Sequence, residues 1–275
     1  MRHNLKNAET GIRFQFGENW RRFIEQLDDK KILAAENSIK EFMKVETLAG
    51  VDMVDVGSGS GLFSLAARRL GAKVHSFDFD SDSVECTRIL KNKYFPNDVH
   101  WTVDEGSILN SDYLKTIGTF DLVYSWGVLH HTGDMWRSIR NTASLVRDDG
   151  LLLISIYNDQ GFKSKLWLLI KLFYNRLPKL FKKFFSRMIY YSVKTLILTK
   201  YTLLLKPLTP INNWSAEKQR GMDSEVDWID WIGGYPFEYA TFQNVVDYME
   251  ELNFQLRSSN VAKQSGCSEF LFVKQ

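Results

Sequence analysis

A glycine-rich segment holds the residues with the clearest capacity for chemistry. It reads DVGSGSG over residues 55–61, between a short β-branched segment and a helix-like one. Glycines in such a turn let a ligand press against bare backbone, and the following helix N-terminus offers N–H groups to a carboxylate or a phosphate. An acid before the first glycine suits an ammonium group and repels a pyrophosphate. We therefore expect a ligand with an ammonium group to contact Asp55, Gly57, Ser58, Gly59 and Gly61.

A second acid stands where the next strand-like segment ends. Asp78 follows Gly61 by 17 residues, and a carboxylate in that place suits the two hydroxyls of a ribose. Taken singly, Asp55 and Asp78 are equally well read as acids that cap strand ends. In combination with the glycine segment, they predict a ligand that contains a nucleoside.

The elements around these residues alternate between strand-like and helix-like segments. Their order, β-α-β-α-β-β-α-β, predicts a doubly wound α/β fold with a seven-stranded, mostly parallel sheet. A helix and two strands joined near Gly266 predict a closing antiparallel hairpin. A stretch that breaks the alternation predicts a helical insertion between strands 5 and 6. The expected units are an N-terminal helical lid (1–50), a ligand-binding core (51–157), the insertion (158–240), and a C-terminal helix and hairpin (241–275).

Composition excludes several classes of protein. The chain is 44% hydrophobic and 25% charged, which is ordinary for a globular protein with one good core. No apolar segment reaches the length of a membrane span, and the first residues lack the apolar stretch of a signal peptide. Cys86 and Cys267 are far apart, and neither they nor clustered carboxylates suggest a metal site. These observations favour a metal-free protein of the cytoplasm.

The charge is distributed unevenly along the chain. Residues 161–210 contain eleven Lys or Arg and no Asp or Glu, whereas the remainder carries 35 − 11 = 24 basic against 33 acidic residues. On a helical wheel, the basic residues Lys179, Lys182, Lys183 and Arg187 face one side, and the apolar residues Phe181, Phe184, Phe185 and Met188 face the other.

This amphipathic pattern fits an anionic membrane, a nucleic acid, a partner subunit or a solvated lid helix. We favour a membrane surface, at its inner face, or a lipid-like substrate, because the apolar side is bulky and aromatic. Nucleic acid is disfavoured, because the rest of the chain is acidic. The sequence leaves the oligomeric state open.

The motifs resemble those of the class I, Rossmann-like methyltransferases that use S-adenosylmethionine (SAM). The resemblance covers residues 14–157 and the C-terminal hairpin. It rests on D-x-G-x-G-x-G at residues 55–61, on Asp78, which Phe79 follows, and on FDLVYSWGVLHH at residues 120–131. The last segment is similar to the V-L-H-H motif of the small-molecule branch. The resemblance implies SAM as the cofactor.

The same resemblance assigns further cofactor contacts. It implies that Ser125 and Trp126 lie beside the methionine part of SAM and that Ser107 and Ile108 lie in the segment that contacts adenine. The family usually has Gly-Asp where this chain has Gly106-Ser107, so the usual acidic contact to adenine is missing. The segment FQFGENW at residues 14–20 resembles an N-terminal lid. Phe16 and Trp20 are then either covers of the cofactor or core residues.

The acceptor is less well defined than the cofactor. Methyl transfer needs alignment of the acceptor, and a hydroxyl acceptor also benefits from a base. His130 and His131, at the expected carboxyl edge of the sheet, are the candidate bases; the alternative is a structural start of a helix. Candidate acceptor contacts are Tyr157, Asn158, Trp228, Asp230 and Trp231, although the last three fit a packed return from the insertion equally well.

These observations predict a SAM-dependent methyltransferase with a small-molecule or lipid-like acceptor, methylated at oxygen, of the sugar, phenol or quinone type. One alternative is an NAD-dependent Rossmann oxidoreductase. It is disfavoured by Leu62 in place of a further glycine, by the acid at Asp55 and by the hairpin. The other alternative is a non-catalytic membrane-associated protein that keeps the fold, against which the intact glycines and acids argue.

Overall fold

The computed structural model describes residues 13–204, 224–262 and 266–275, apart from the side chains of residues 224–227 and 230. Its centre is a seven-stranded sheet in the order β3-β2-β1-β4-β5-β7-β6. The first five strands in this order pair in parallel, whereas β7 is antiparallel to both of its neighbours. The strands are β1 (Asp52–Val56), β2 (Lys73–Asp78), β3 (Trp101–Glu105), β4 (Phe120–Trp126), β5 (Val146–Tyr157), β6 (Phe254–Asn260) and β7 (Cys267–Lys274). The predicted fold class, including the closing hairpin, is confirmed.

Helices cover both faces of the sheet. The helices are α1 (Gly17–Glu25), α2 (Asp29–Met43), α3 (Leu62–Arg69), α4 (Ser81–Tyr94), α5 (Ser111–Ile117), α6 (Met135–Ser144), α7 (Phe162–Arg176), α8 (Lys179–Leu203), α9 (Ser224–Gly233) and α10 (Phe242–Glu251). One apolar core joins α1 to α4 with one face of the sheet through residues such as Phe23, Ile39 and Leu65. A second core joins α5, α6 and α10 with the other face, through Leu114, Ile139 and Val245. This two-sided burial explains the nearly continuous apolar sequence of the central strands.

The insertion between β5 and β6 contains α7, α8 and α9. Pro178 separates the first two helices and is the N-cap of α8. The indole Nε1 of Trp228 in α9 donates to the Ser186 hydroxyl of α8 at 3.0 Å, and the rings of Trp231 and Trp167 meet at 5.2 Å. Thus α9 holds α7 and α8 against the body of the protein. In the described part of the chain, no helix is both long and apolar enough to cross a bilayer.

The side of α8 that packs against the protein is one that the sequence did not predict. The Phe185 ring meets the Phe173 and Tyr174 rings, and the Lys182 ammonium lies over the Tyr174 ring at 5.3 Å. The buried side of α8 is therefore the border between the predicted basic and apolar faces. Lys182 of the predicted basic face and Phe185 of the predicted apolar face both contact α7, a contact that the sequence analysis did not predict.

Candidate functional site

The glycine segment forms a tight loop between β1 and α3. Gly57, Gly59 and Gly61 all have positive φ, at 77°, 53° and 80°, a backbone conformation that residues other than glycine rarely adopt. A Cβ on Gly57 would lie 2.4 Å from the Val128 side chain, and one on Gly59 would lie 3.0 Å from the Trp20 indole. The loop therefore needs glycine for both its conformation and its space.

Asp78 connects this loop to the end of β2. Its carboxylate accepts hydrogen bonds from the backbone N–H groups of Gly59 and Asp80, each at 2.9 Å. Burial raises the pKa of Asp78 to about 6, against the opposing effect of these hydrogen bonds. The backbone carbonyl of Asp78 also accepts from Gly106 N at 2.9 Å. One acid thus ties together the glycine loop and the loop after β3, which is the position predicted for a ribose contact.

Asp55 is buried at the end of β1 and belongs to a longer network. Its carboxylate accepts from the Ser64 hydroxyl at 2.5 Å. Ser64 in turn accepts from the Ser76 hydroxyl at 2.8 Å, which accepts from the Trp101 indole at 2.9 Å. Burial raises the pKa of Asp55 to about 7, and the negative charge of Asp78 adds to this shift. The sequence analysis did not find Ser64, Ser76 and Trp101, because only tertiary packing brings them together.

The segment predicted to be a lid crosses the carboxyl edge of the sheet. Phe14 N donates to the Tyr235 carbonyl at 2.9 Å, and Gly17 N donates to the Asp80 carboxylate at 2.8 Å. Between these ties, the Phe16 ring meets the His131 ring at 5.1 Å. Trp20 lies over the glycine loop, as described above. Phe16 and Trp20 are both partly buried, so they contact the predicted site while keeping some exposure.

Arg13, at the start of this segment, is a residue that the sequence did not single out. Its guanidinium lies 4.7 Å from the centre of the exposed Phe79 ring and donates to the Thr132 carbonyl at 3.0 Å. Burial lowers the pKa of Arg13, whereas the charge of Asp78 raises it. Arg13 therefore brings a positive charge to the place where the two predicted ligand residues Asp78 and Phe79 stand.

The remaining predicted cofactor contacts have partners within the protein. The Ser125 hydroxyl donates to the Val56 carbonyl at 3.0 Å, and the Trp126 indole donates to Glu269 on β7 at 2.7 Å. In the loop after β3, the Ser107 hydroxyl accepts from Leu109 N at 3.2 Å, and Ile108 is buried. The structure brings these residues to the carboxyl edge of the sheet, where the sequence predicted them.

The two histidines form a single turn of 3₁₀ helix, Leu129–His131. His131 Nδ1 lies 2.6 Å from the Pro236 carbonyl. Because a carbonyl only accepts, Nδ1 carries the hydrogen and Nε2 keeps a free lone pair. The pKa of His131 is lowered to about 3, mainly by burial and also by the charges of Lys171 and Arg13. His131 is therefore a neutral imidazole with one fixed tautomer.

His130 has a different environment. It is 0% exposed, and neither ring nitrogen has a hydrogen-bond partner in the described part of the chain. Its ring lies between those of His131 and Tyr157, with centroids at 4.5 and 4.0 Å. Burial lowers the pKa of His130 well below its usual value. His130 packs like an aromatic residue.

Tyr157 is the centre of an aromatic cluster at the end of β5. Its ring meets those of His131, Trp231 and Phe237 at 5.5, 5.3 and 5.0 Å. The buried Lys171 ammonium, which the sequence analysis missed, donates to the Trp231 carbonyl. It also lies over the rings of Tyr157, Trp231 and Phe237. A lysine within the apolar sequence of α7 was the available signal. The cluster joins the insertion to the histidine turn.

The other predicted acceptor contacts are spread more widely. The Asn158 side chain donates to the Ala262 carbonyl at 3.1 Å, so it ties β5 to the hairpin. Trp228 packs inside the insertion against Trp167 and Tyr190. Its packing favours the interpretation as a return from the insertion. The Asp230 side chain lies outside the described residues.

Known proteins resemble this chain in family profile, in sequence and in fold. The profile of the family described as "Methyltransferase domain" matches residues 16–189. A ubiquinone biosynthesis O-methyltransferase of Coxiella burnetii (strain RSA 493 / Nine Mile phase I) is 30% identical over 135 residues, which are 48% of this chain and 55% of that protein. A ribosomal protein L11 methyltransferase of Macrococcus caseolyticus is 33% identical over 109 residues, which are 38% and 32% of the two chains. The chain thus matches about half or less of the length of these curated relatives.

Among solved structures, a magnesium protoporphyrin IX methyltransferase from Synechocystis PCC 6803, crystallised with SAM, has the same fold. The TM-score is 0.56 at 12% identity, over 100% of this chain and 99% of that one. The sequence resemblance to class I methyltransferases is thereby confirmed at the level of family and fold. Since the family profile matches more than half of its residues, this chain belongs to the methyltransferase domain family.

Proposed function

We propose that the protein transfers a methyl group from SAM to an oxygen of a small-molecule or lipid-like acceptor. The observation that carries this proposal is the placement of two acids, the buried Asp55 and the half-buried Asp78, on either side of a glycine loop. Both acids have a raised pKa because burial penalises their charged forms. A bound cation would therefore stabilise the two carboxylates. Family membership and SAM-bound neighbours of the same fold support this choice of cofactor.

The residues present fit SAM in chemical type. Gly57, Gly59 and Gly61 keep the loop backbone free of side chains, and the N-terminus of α3 suits a carboxylate. Asp55 suits an ammonium group, and Asp78 suits the two hydroxyls of a ribose. When bound, SAM supplies a methyl group on a positively charged sulfur.

We propose that His131 accepts a hydrogen bond, and then the proton, from the acceptor hydroxyl. Its Nε2 accepts a hydrogen bond in the only tautomer that the Pro236 carbonyl allows. An acceptor hydroxyl that donates to Nε2 is held in one orientation, with an oxygen lone pair left free for the methyl group. Because the pKa of His131 is about 3, His131 does not deprotonate the hydroxyl in advance. It takes the proton only as the oxygen forms its bond to the methyl group and the hydroxyl becomes more acidic. Its first role is therefore alignment.

The surroundings of His131 favour a flat acceptor. Phe16 and Tyr157 present ring faces or edges to it, and such rings bind planar molecules well. We therefore propose a phenol or quinone-type ring ahead of a sugar. The name of the Coxiella relative, an O-methyltransferase of ubiquinone biosynthesis, is consistent with this preference. A lipid-like acceptor also suits a location at a membrane surface, through the basic insertion.

The proposal is tested in two steps. Calorimetry should show binding of SAM and S-adenosylhomocysteine and no binding of NADH, which separates this proposal from the oxidoreductase alternative. The protein is then incubated with SAM and with matched catechol, sugar and primary amine compounds, and S-adenosylhomocysteine is measured by mass spectrometry. Product with the catechol alone supports the proposal. Binding of NADH without SAM overturns it, and product with the amine alone overturns the oxygen assignment.

A further inference from the structure

Exposed apolar side chains are concentrated on the outer surface of α7 and α8. Thirteen of the eighteen exposed large apolar residues in the described part of the chain lie between Phe162 and Leu204. On α8 they include Leu180, which is 83% exposed, and Phe184, which is 71% exposed. A surface with so much apolar area usually has a partner. We call this outer surface of α7 and α8 the docking surface.

Rotation of α8 about its axis cannot bury the docking surface. The opposite side of α8 is already occupied, since Ser186 accepts from Trp228 and the Phe185 ring packs on Tyr174. The Lys194 ammonium lies over the Tyr190 ring at 4.2 Å, and Tyr190 packs on Trp228. These contacts fix Phe184 and Met188 on the outer side.

The charge of the docking surface has one sign. Lys183 and Arg187 are exposed and stand within one turn of Phe184 and Met188. No Asp or Glu occurs between Gln160 and Leu204. An apolar stripe bordered by cations is the pattern of a helix that lies flat in the headgroup region of an anionic bilayer.

We propose that the docking surface binds the surface of an anionic lipid bilayer. A second copy of the chain is a poorer partner, because a symmetric contact would place basic residues against basic residues with no acid in the surface. Nucleic acid would satisfy the cations and leave Leu180, Phe184 and Met188 in water. A bilayer accommodates both, since its headgroups meet the cations and its acyl chains meet the apolar residues.

The geometry connects docking to the proposed function, on which this step rests. The inner side of α7 bears Lys171, which packs on Tyr157, whereas its outer side bears the exposed Leu169. Bilayer and acceptor site are therefore separated by about one helix diameter, roughly 10 Å. A lipid-soluble acceptor could reach Tyr157 and His131 without crossing bulk water.

The test is co-sedimentation of the full chain with vesicles. Phosphatidylcholine vesicles with phosphatidylglycerol should bind the protein about tenfold or more tightly than phosphatidylcholine alone. Phe184→Ser with Met188→Ser should weaken binding at both low and high salt. Lys183→Glu with Arg187→Glu should weaken it mainly at low salt, because salt screens only the charges. The matched control, Val99→Ser with Lys115→Glu, changes an exposed apolar residue and an exposed lysine elsewhere and should bind like the parent protein.

Three results would overturn the proposal. The first is an absence of sedimentation with either vesicle, and the second is equal loss in the control variant. The third is a dimer in light scattering that the Phe184→Ser, Met188→Ser variant dissociates while vesicles are ignored. S-adenosylhomocysteine affinity is measured on the same samples. If the parent protein binds vesicles but not S-adenosylhomocysteine, the result counts against the proposed methyl transfer alone. If it binds S-adenosylhomocysteine but not vesicles, the result counts against docking alone.

Discussion

The indole of Trp101 and the carboxylate of Asp55 stand at the two ends of one buried chain of hydrogen bonds. Each donor points toward the acid, from Trp101 through the hydroxyls of Ser76 and Ser64. Bonds arranged head to tail in this way strengthen one another. The chain starts on β3 and crosses β2 and α3 to reach β1, so three elements fix the orientation of one carboxylate.

Ser64→Ala is therefore expected to weaken SAM binding without any contact to the cofactor. It removes the hydrogen bond to Asp55 and lets the carboxylate turn. A hydrogen bond to a charged group contributes about 1.5–3 kcal/mol, so a loss of roughly 10- to 100-fold in affinity is expected. Calorimetry measures it. Trp101→Phe, which cuts the chain at its far end, should have a smaller effect in the same direction, and an unchanged affinity in Ser64→Ala would refute the role of the chain.

Asp78→Ala should reduce SAM affinity more strongly. The variant loses a charge-assisted contact to the ribose hydroxyls, on the order of 2–4 kcal/mol. It also frees Gly59 N, so thermal melting must show that the fold is intact. Asp104→Ala, which removes an exposed acid on β3, is the matched control and should bind normally. Equal affinities in Asp78→Ala and the control would remove Asp78 from the site.

The raised pKa values of Asp55, about 7, and of Asp78, about 6, predict a pH dependence. The folded protein holds these protons more tightly than the unfolded chain, whose carboxyl groups titrate near pH 3.8. Their contribution to stability therefore falls as pH rises from about 4 to about 7. A cation stabilises the ionised acids, so SAM binding should release protons near pH 6.5 and tighten as pH rises to about 8. Calorimetry in buffers of different ionisation enthalpy measures this release, and uptake of protons would contradict the assignment.

The sequence predicted best those residues whose positions depend on the local backbone structure. The glycine loop, Asp55 and Asp78 sit at strand ends, and a strand-turn-helix pattern fixes such positions along the chain. Parallel strands then bring their carboxyl ends to one edge, so the position of the histidines also followed from the order of elements.

Contacts between distant segments were out of reach. Trp101 is 37 residues from Ser64, and only the pairing of β2 with β3 places Ser76 between them. Helical periodicity separated the basic and apolar faces of α8, yet it did not show that α7 would pack on the border between them. The buried Lys171 escaped for the same reason, since a lysine in an apolar helix reads as exposed until its neighbours are known.

The two histidines should respond differently to substitution. His131→Ala removes the acceptor nitrogen Nε2, so turnover should fall roughly 10²- to 10⁴-fold while SAM affinity stays the same. His130→Phe keeps the ring packing on Tyr157 and removes two nitrogens that have no hydrogen-bond partner among the described residues. Since burial of unpaired polar atoms costs stability, this variant should melt at the same or a higher temperature and keep its turnover.

Steady-state rates and melting curves on both variants decide between the two roles. Because the pKa of His131 is about 3, the parent enzyme should show no fall in turnover at saturating SAM between pH 8 and pH 5 from protonation of this residue. A fall centred near pH 6.5 that disappears in His131→Ala would mean that the acceptor site is more solvated than the ring contacts with Phe16 and Tyr157 imply. Loss of turnover in His130→Phe with normal turnover in His131→Ala would exchange their roles.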